Sequence, residues 1–564
     1  MAYFLKKQRQ NNKTYLHIYE SYYSPETKNT KHRFIKAMST FEALKEKGIE
    51  DPVAYCQKEV DSLNEERNKE KIRYISDVSP VRYLGYFPLS SIMNKLNIKK
   101  YVDLFKLSTN FSFDLYDVLS SLVFARIVNP CSKYRTYYEV IPNLYHDYDF
   151  SYDQLLEGLS YFGNDYEKFI ELFNMQVNKI YKIDTSSTYF DCTNFYFEID
   201  REDDFRRKGP SKENRKDPIV GMGLLLDANQ IPVGMKLYPG NESEKPVLRE
   251  IIASLKERNN IEGRTIHVAD KGLNCAQNIY FSRKNKDGYI FSKSVKQLPE
   301  TEKVWVLLDN DYKEVKDNKG EVRFRYKECI DKFPYDYTDE NGKKHRFELT
   351  EKRVVSYNPA LAIKQKAEIN KLIEKAKNLQ LAKAKKEEYG ECSKYVKFSS
   401  TSKGKITDDK VKVTLNNEAI EKDLSLAGYN LLVTSETKMK ALDIYETYHN
   451  LWRIEESFRI MKSDLDARPV FLQKEDTIKG HFFICYIAVL LQRLLQFHEL
   501  ENRYSSSDLS RFFKNFKAAK AEGRYINLSQ SNSFINDLSK MTGLPLNHLE
   551  LSEAKIKKVF SYKF

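Results

Sequence analysis

Residues 186–295 alternate between strand-like and helix-like patterns in an order that leaves few architectures open. Three strand-like stretches come first, at 188–197, 219–226 and 231–238, and turn-forming residues separate them. A helix, a strand, a second short helix and a final strand follow. Each of these elements has an apolar face that must be buried. The β-β-β-α-β-α-β order therefore predicts an α/β core in which helices cover a sheet.

The sequence on either side of this core changes in composition and periodicity, which indicates several domains. A chain of 564 residues is long enough for three or four of them at roughly 150 residues each. The chain opens with a basic hairpin whose turn lies at residues 10–13, and long amphipathic helices are predicted at 441–466 and 477–498. We predict six segments: a basic N-terminal β-element (1–75), a helical region (76–183), the first part of the core (184–299), a β-rich insertion with a Lys-rich helix at 359–386 (300–437), the closing helices of the core (438–500), and a C-terminal helical tail (501–564).

The charge balance favours a polyanionic partner. Lysine and arginine (93) outnumber aspartate and glutamate (80), so the net charge is +13, and such a surplus is typical of proteins that bind nucleic acid or an anionic membrane. The longest apolar run, residues 482–491, is much shorter than the ~20 residues of a membrane-spanning helix. The first ten residues carry charges where a signal peptide has its apolar stretch. We therefore expect a nucleic-acid partner, no membrane partner and a cytoplasmic location.

Asp191 lies in the middle of the aromatic-rich stretch 187–197. Burial of an unpaired carboxylate there would cost several kcal/mol or force the group to take up a proton. The residue therefore needs a cation, a metal ion or an exposed end of the sheet. The alternative is a strand-end aspartate that bonds only to the backbone.

Asp270 ends the apolar stretch 266–269 and precedes Lys271 and Gly272. Ligands of open α/β sheets bind outside the carboxyl ends of the strands, and this carboxylate falls at such an end. The alternative is that Asp270 caps the helix that is predicted to begin near Asn274.

The third acidic candidate is Glu455, in the predicted helix 441–466. At ~100° per residue, this helix has an apolar stripe and, beside it, a polar stripe that includes Glu455. The helix would pack by the first stripe and present the second to a cleft. The alternative is a solvated face on which Glu455 pairs with Arg459. The apolar stripe consists of Leu451, Ile454, Phe458, Met461 and Leu465, and the polar stripe of Tyr448, Glu455, Arg459 and Lys462.

Three carboxylates, two on strands and one on a helix packed against them, are suited to bind two divalent cations. Mg²⁺ prefers hard oxygen ligands and keeps positions open for water and phosphate. A pair of ions ~3.5 to 4 Å apart activates the attacking oxygen and stabilises the leaving one, which is chemistry that cuts or joins phosphodiesters. With the basic net charge, this favours Asp191, Asp270 and Glu455 as catalytic residues and as ligands of two Mg²⁺ or Mn²⁺ ions.

These motifs resemble those of the DDE-type transposases of bacterial insertion sequences, in the branch called insertion-sequence family four. Its glutamate helix carries the signature Tyr-x2-Arg-x3-Glu-x6-Lys, and Tyr448, Glu455 and Lys462 match the first, third and fourth positions. The strings at 191–193 and 268–272 match the first two acidic motifs, and 209–217, 240–241 and 431–436 also match. The resemblance covers roughly residues 180 to 495.

The resemblance implies a ribonuclease-H-like catalytic core that the β-rich insertion interrupts between Asp270 and Glu455. The element order of residues 186–295 is also the one that this fold uses. The resemblance further implies excision and strand transfer of an insertion sequence into target DNA. A homodimer would hold two terminal inverted repeats in a synaptic complex, in the bacterial cytosol or nucleoid.

Two positions depart from the family pattern. Leu451 stands where the signature has arginine, so the phosphate-binding role of that position either has passed to Arg453 or Arg459 or is lost. Asn430, with Tyr429 beside it, stands where relatives that form DNA hairpins carry a tryptophan. This departure weighs against a hairpin intermediate.

Basic side chains in three places are candidates for DNA contacts. The loop 201–216 leads directly out of the Asp191 strand, which favours phosphate contacts over the alternative of a solvated charge run. Metal-bound carboxylates contact a DNA phosphate, and phosphates carry no sequence information. We therefore expect the hairpin and the helices up to about residue 181 to recognise the terminal repeat. The candidates are Tyr448, Arg453, Arg459 and Lys462 on the glutamate helix, Arg206, Arg207, Lys208, Lys212, Arg215 and Lys216 in the loop, and Lys6, Lys7, Arg9 and Lys13 in the hairpin.

Two other functions remain open at this point. A metal-dependent DNA nuclease without strand transfer would use the same carboxylates, and a domesticated DNA-binding regulator would no longer cut DNA. The intact acidic triad argues against the regulator, and the long N-terminal region argues against a minimal nuclease.

Overall fold

The computed structural model describes residues 2–24, 29–71, 79–213, 215–258, 263–339, 341–381, 386–399, 412–521 and 524–564. The chain forms two compact units, Met1–Ser79 and Pro80–Phe564. The predicted boundary between residues 75 and 76 falls outside the described residues. The other predicted boundaries all lie within the second unit.

The first unit is an antiparallel sheet of three strands with two helices. Its elements are β1 (Tyr3–Gln10), β2 (Lys13–Ser24), β3 (Asn29–Thr40), α1 (Phe41–Glu46) and α2 (Pro52–Lys71). In the hairpin of β1 and β2, Gln10 pairs with Lys13 around Asn11 and Asn12. Both asparagines have positive φ, 50° and 57°, which a two-residue turn between twisted strands requires and asparagine tolerates.

The second unit begins with a helical region, as the spacing of its apolar residues predicts. Its elements are β4 (Val81–Tyr83), α3 (Phe87–Lys95), α4 (Ile98–Lys106), α5 (Leu115–Val128), α6 (Lys133–Arg135), α7 (Tyr152–Asn164) and α8 (Tyr166–Tyr181). Helix α5 begins where the Asp114 side chain accepts a hydrogen bond from the Asp117 amide, and it ends before Pro130.

The α/β core follows, in the predicted order of strands and helices. Its elements are β5 (Ser187–Tyr196), β6 (Ile219–Leu226), β7 (Pro232–Pro239), α9 (Glu244–Arg258), β8 (Ile266–Ala269), α10 (Ala276–Lys284) and β9 (Gly288–Lys293). The strands lie side by side as β7-β6-β5-β8-β9. β5 pairs antiparallel with β6 and parallel with β8, which in turn is parallel to β9.

The predicted insertion is rich in strands, and four of them extend the core sheet. Its elements are α11 (Glu300–Leu307), β10 (Lys313–Lys316), β11 (Val322–Thr338), β12 (Lys344–Tyr357), α12 (Pro359–Leu381), β13 (Val396–Ser399), β14 (Lys412–Leu415), α13 (Asn417–Ser425) and β15 (Tyr429–Thr434). β15 lies beside β9, and the resulting nine-stranded sheet has the order β10-β11-β12-β15-β9-β8-β5-β6-β7. The Lys-rich helix, predicted to reach residue 386, ends at Leu381, and residues 382–385 fall outside the described chain.

The predicted helix 441–466 is two helices, α14 (Ala441–His449) and α15 (Trp452–Arg459). Between them, Leu451, Arg453 and Ile454 donate their amides to carbonyls three residues back, the tighter 3₁₀ pattern, which interrupts the α-helix. Helix α16 (Glu475–Leu494) follows. Among the described residues, the stretch Glu475–Glu499 is long and apolar enough to cross a membrane, but 94% of its most apolar window is buried in the protein, as in a core helix.

The C-terminal tail is not purely helical, contrary to the prediction. It contains α17 (Ser506–Asn515), β16 (Lys517–Ala521), β17 (Arg524–Asn527), α18 (Ser533–Thr542), β18 (Glu550–Ser552) and α19 (Glu553–Phe560). Its strands form a four-stranded sheet with β4, in the order β18-β17-β16-β4. The tail therefore packs on the helical region through backbone pairing of β16 with β4. These two strands lie near opposite ends of the second unit's sequence.

Apolar cores cover the two faces of the large sheet. Neighbouring residues of one strand point to opposite faces, so Tyr189 enters the larger core with α5, α7 and α16, whereas Phe190 enters the core under α9. Asp191 follows the same alternation and shares the face of Tyr189. The predicted apolar stripe from Leu451 to Leu465 is buried in this larger core.

Candidate active site

Asp191 and Asp270 lie next to each other on neighbouring parallel strands, Asp191 in the middle of β5 and Asp270 directly after the end of β8. β5 and β8 pair in register up to Phe190 opposite Ala269, and the two aspartates follow directly. The alternation of side chains places both on the face that carries the larger core. The fold thus brings two of the three predicted carboxylates together.

The Asp191 carboxylate is partly buried, with 24% of its side chain exposed. Burial raises the pKa of Asp191 to about 6, and the negative charges of Glu244 and Asp270 contribute in the same direction. The Lys212 ammonium and a hydrogen bond of 2.8 Å from the Cys192 amide act in the opposite direction. Ionised carboxylates at this place therefore require a cation.

Lys212 supplies a positive charge in this structure. Its Nζ lies 3.7 Å from Oδ1 of Asp191 and 3.6 Å from Oε1 of Glu244, and it donates to the Cys192 carbonyl. The lysine belongs to the loop between β5 and β6, so the loop that leaves the Asp191 strand folds back onto it. The carboxylate oxygens are thus arranged to accept a cation.

Glu244 is a member of the acidic cluster that sequence analysis missed. It is the first residue of α9, where an acidic side chain is ordinarily explained by the helix dipole, so the pattern carried no special signal. Its Oε2 lies 4.0 Å from the place that a Cβ on Gly272 would take, next to the turn that follows Asp270.

Tyr448 contacts the same cluster. Its hydroxyl donates a hydrogen bond of 2.9 Å to Oδ1 of Asp270. Burial raises the pKa of Tyr448 far above its ordinary value, so the phenol keeps its proton and remains the donor. Tyr448, predicted as a DNA contact, therefore also orients a carboxylate.

Glu455 is exposed on α15, whose buried Ile454 and Phe458 pack the helix against the sheet. Within the described chain Glu455 has no hydrogen-bond or ion-pair partner. Over the same residues, no three side chains of the His, Cys, Asp and Glu types are grouped closely enough to hold a metal ion. The structure thus leaves the third predicted ligand apart from the two aspartates.

Arg453 and Arg459 are engaged with the neighbouring Glu456. Arg453 lies 3.2 Å from the Glu456 carboxylate and 3.7 Å from the centre of the Trp452 ring. Arg459 lies 3.7 Å from the same carboxylate and donates a bond of 2.9 Å to Ser506, yet 47% of its side chain is exposed. Of the two arginines, Arg459 is the more accessible to a DNA phosphate.

Lys462 joins the glutamate helix to the basic loop. Its Nζ lies 3.2 Å from Oε1 of Glu213, which also pairs with Arg468. Burial lowers the pKa of Lys462 to about 8, and the Lys212 ammonium lowers it further, whereas Asp191 raises it. The negative charge of Asp191 therefore acts on both Lys212 and Lys462.

The other basic residues of the loop differ in how far the protein neutralises them. Arg206 pairs with Asp203 at 2.6 Å, and Arg207 with Asp204 at 2.9 Å. Arg215 lies 3.7 Å above the Tyr196 ring and 3.6 Å from Asp217, whereas Lys208 and Lys216 are exposed. In the first unit, Lys6, Lys7, Arg9 and Lys13 are all exposed on the hairpin.

The two departures from the expected motif have structural counterparts. Leu451 is only 8% exposed and belongs to the larger core, so it has an apolar packing role. Asn430 lies on β15, and its neighbour Tyr429 packs against Tyr357 at a ring distance of 4.8 Å.

Comparison with known proteins identifies the family. Residues 191–491, more than half of the chain, match the family model described as transposase DDE domain. No curated protein matches the sequence significantly. A cryo-EM structure of the piggyBac transposase synaptic complex with hairpin DNA is similar at a TM-score of 0.35 and 10% identity, over 76% of this chain and 78% of that one. That likeness is too slight to support a conclusion, whereas the family match is sufficient: the chain belongs to the transposases with a DDE domain.

Proposed function

We propose that this protein cleaves DNA at the terminal inverted repeats of an insertion sequence and joins the cleaved ends to target DNA by strand transfer. The observation that carries the proposal is the adjacency of Asp191 and Asp270 at the point where β8 ends beside β5, in a chain of the DDE family. A carboxylate pair that holds a cation beside the phosphate can promote both phosphodiester hydrolysis and transesterification.

We propose that the core is ribonuclease-H-like. The order β5-β6-β7-α9-β8-α10-β9 supports this assignment, with β5 antiparallel to β6 and parallel to β8. The distance in sequence between Asp270 and Glu455 is then taken up by the insertion, of which β15 returns to the core sheet.

Asp191, Asp270 and Glu455 would hold two Mg²⁺ or Mn²⁺ ions, which supply activation of the attacking oxygen and stabilisation of the leaving oxygen. The chemistry of the donor set fits these ions, because it consists of carboxylate oxygens, and one of its members, Asp191, already attracts the Lys212 ammonium. Glu455 has no bonded partner in the described chain that it would have to give up.

The remaining side chains have roles that follow from their contacts. Tyr448 holds the Asp270 carboxylate through its hydroxyl. Lys212 and Lys462 place positive charge at the cluster, where the DNA phosphate would approach. Arg459, Lys208 and Lys216 are exposed and would contact phosphates farther along the DNA.

Sequence recognition would belong to other surfaces than the carboxylates, because phosphate contacts carry no sequence information. We assign it to the N-terminal region, whose hairpin exposes Lys6, Lys7, Arg9 and Lys13. The complete reaction would take place in the bacterial cytosol or nucleoid, with a homodimer holding both element ends.

The test is a cleavage assay on a supercoiled plasmid that carries the DNA flanking the gene, with Mg²⁺. We expect the wild type to cut at imperfect inverted repeats, and Asp191→Ala, Asp270→Ala and Glu455→Ala each to lose cleavage by at least about a thousandfold while end binding persists. Glu446→Ala is a matched control, since Glu446 is an exposed glutamate on α14.

The outcomes separate the competing functions. Cleavage without joined products would identify a nuclease, and end binding without cleavage would identify a domesticated regulator. A fully active Glu455→Ala variant would remove Glu455 from the site. In the same assay, residues 80–564 alone should cut but lose preference for the repeat over scrambled DNA. Retained preference would place recognition outside the first unit.

A further inference from the structure

A recess in the second unit is lined by buried cationic side chains. Its volume is about 240 Å³, and its walls come from α5, α6, α7, α16 and residues 466–472. Arg126 and Lys133 both line it although each is only 5% exposed. Two buried positive charges in one place are costly to the fold unless an anion accompanies them.

Among the described residues, these two cations have only neutral hydrogen-bond partners. Arg126 donates to the carbonyl oxygens of Cys131, at 2.8 Å, and Leu465, at 3.4 Å. Lys133 lies 3.3 Å from Nδ1 of His481. The other ring nitrogen, Nε2, lies 3.1 Å from the Ala467 carbonyl and therefore carries the proton, so that Nδ1 accepts from the lysine.

Within the described chain, no carboxylate pairs with either cation. The one acidic side chain that lines the recess is Asp466, which is exposed. Burial lowers the pKa of Lys133 to about 7, and Arg126 lowers it further. A bound anion would reverse that effect, because it would stabilise the ammonium form.

The rim of the recess is aromatic. Phe471 is 71% exposed and Tyr134 is 60% exposed, and both line it. Exposed rings beside cationic groups are typical of surfaces that bind unpaired nucleotides, because the cations bind phosphate and the rings stack on bases. The phosphates of an intact duplex lie along its outer surface and would not reach groups as deeply buried as Lys133. Only a strand end or an unpaired nucleotide fits this shape.

The recess is connected to the acidic cluster by ion pairs. Arg468 lines the recess and pairs with Glu213. Glu213 also pairs with Lys462, which senses the charge of Asp191. Arg468 and Lys462 thus link the recess to the cluster through Glu213.

We propose that this recess binds the terminal phosphate monoester of a DNA strand, with the attached base against Phe471 and Tyr134. The proposal rests on the proposed function. When water attacks a phosphodiester, its oxygen joins phosphorus, the bond from phosphorus to one sugar oxygen breaks, and that oxygen leaves with a proton as a hydroxyl. The other end keeps a monoester, whose charge approaches −2 and matches Arg126 and Lys133.

The test measures binding of short single-stranded oligonucleotides to the full-length protein in EDTA, so that no cleavage occurs. Fluorescence anisotropy compares strands with a 5′-phosphate, with a 3′-phosphate and with hydroxyls at both ends. We expect one of the phosphorylated strands to bind at least about tenfold more tightly than the hydroxyl strand. Lys133→Met and Arg126→Met should remove this preference, and Lys100→Met, which changes an exposed lysine of α4, should keep it.

Lys133→Met should not lower the melting temperature, because it removes a buried ammonium. If that variant does not fold, Lys133→Gln is judged by the same preference, and Lys133→Arg should retain it. Equal binding of all strands by the wild type would overturn the proposal, as would a preference that survives loss of Lys133. Inorganic phosphate that competes as strongly as the phosphorylated strand would overturn the strand-end assignment. The binding assay contains no metal, so a negative result in it would not bear on whether the protein cleaves DNA. A negative cleavage result would likewise not bear on the binding of strand ends.

Discussion

Arg493, on the core helix α16, and Lys133, which contacts His481 of the same helix, are both buried cations, but their surroundings differ. Arg493 is fully buried and lies 3.0 Å from the Glu456 carboxylate, with further bonds to Ser457 and Gln496. Lys133 has a neutral imidazole as its partner. The first charge is neutralised inside the fold and serves packing, whereas the second is left for a ligand to neutralise.

The same contrast separates the two adjacent glutamates of α15. The side chain of Glu456 is 12% exposed and contacts Arg493, Arg453 and Ser506. Glu455 is exposed and, in the part of the chain that the structure describes, unpaired. The helix thus uses one carboxylate to hold the fold and presents the other outward, which the spacing of residues around a helix allows.

The largest expected effect is on folding. Glu456→Ala leaves the Arg493 guanidinium buried without its anion and should lower the free energy of unfolding by about 3 to 5 kcal/mol. Glu455→Ala should change it by less than about 0.5 kcal/mol. Chemical denaturation of both variants measures the difference. Equal destabilisation of the two variants would contradict the contrast between the two residues. Because Glu456 stabilises the fold, the Glu456→Ala variant is not a neutral control for activity.

The next effect concerns Asp191. Its pKa is about 6 in the folded protein against 3.8 ordinarily, so the folded state holds the proton more tightly than the unfolded state. The stability of the wild type should therefore fall as the pH rises from about 4 through 6. Asp191→Asn lacks this fall and should be more stable by about 2 kcal/mol at pH 7.5 without metal, a figure reduced for partial exposure.

Denaturation at several pH values checks this second effect. The advantage of Asp191→Asn should shrink towards zero below about pH 3, where Asp191 is protonated in both the folded and the unfolded wild type. A constant advantage would show that the gain in stability does not come from the charge of Asp191. A loss of stability at pH 7.5 would show that Lys212 neutralises the aspartate and that the cluster does not need a further cation.

Local patterns were sufficient to predict the core and two carboxylates of the site. Strand periodicity located β5, β6 and β7, with Asp191 inside β5, and the end of β8 located Asp270, because these features depend on neighbours in sequence. Long-range pairing could not be predicted in this way. The contacts of Glu244 with Lys212 and of β16 with β4 join residues whose partners lie far away, and no periodicity encodes them.

The insertion and the glutamate helix show the same limit. The sequence predicted a β-rich insertion, but the pairing of β15 with β9, which joins its strands to the core sheet, depends on tertiary contacts and could not be predicted. The apolar stripe of the glutamate helix predicted its buried face correctly. The break near Leu451 was missed because an apolar stripe persists through a single tightened turn.

The smallest expected effect tests the contrast within one loop. Lys208 and Lys216 are exposed, whereas Arg206 and Arg207 already pair with Asp203 and Asp204. A lysine that binds a phosphate releases counterions, and each lost contact lowers the log–log salt slope of DNA affinity by roughly one. Lys208→Gln with Lys216→Gln should flatten the slope by about two, and Arg206→Gln with Arg207→Gln by less than half of that. Titration of end DNA between low and moderate salt gives both slopes. If substitution of the two arginines flattens the slope more than substitution of the two lysines, the internal ion pairs break on DNA binding. Pairing within the free protein would then not decide which cations contact DNA.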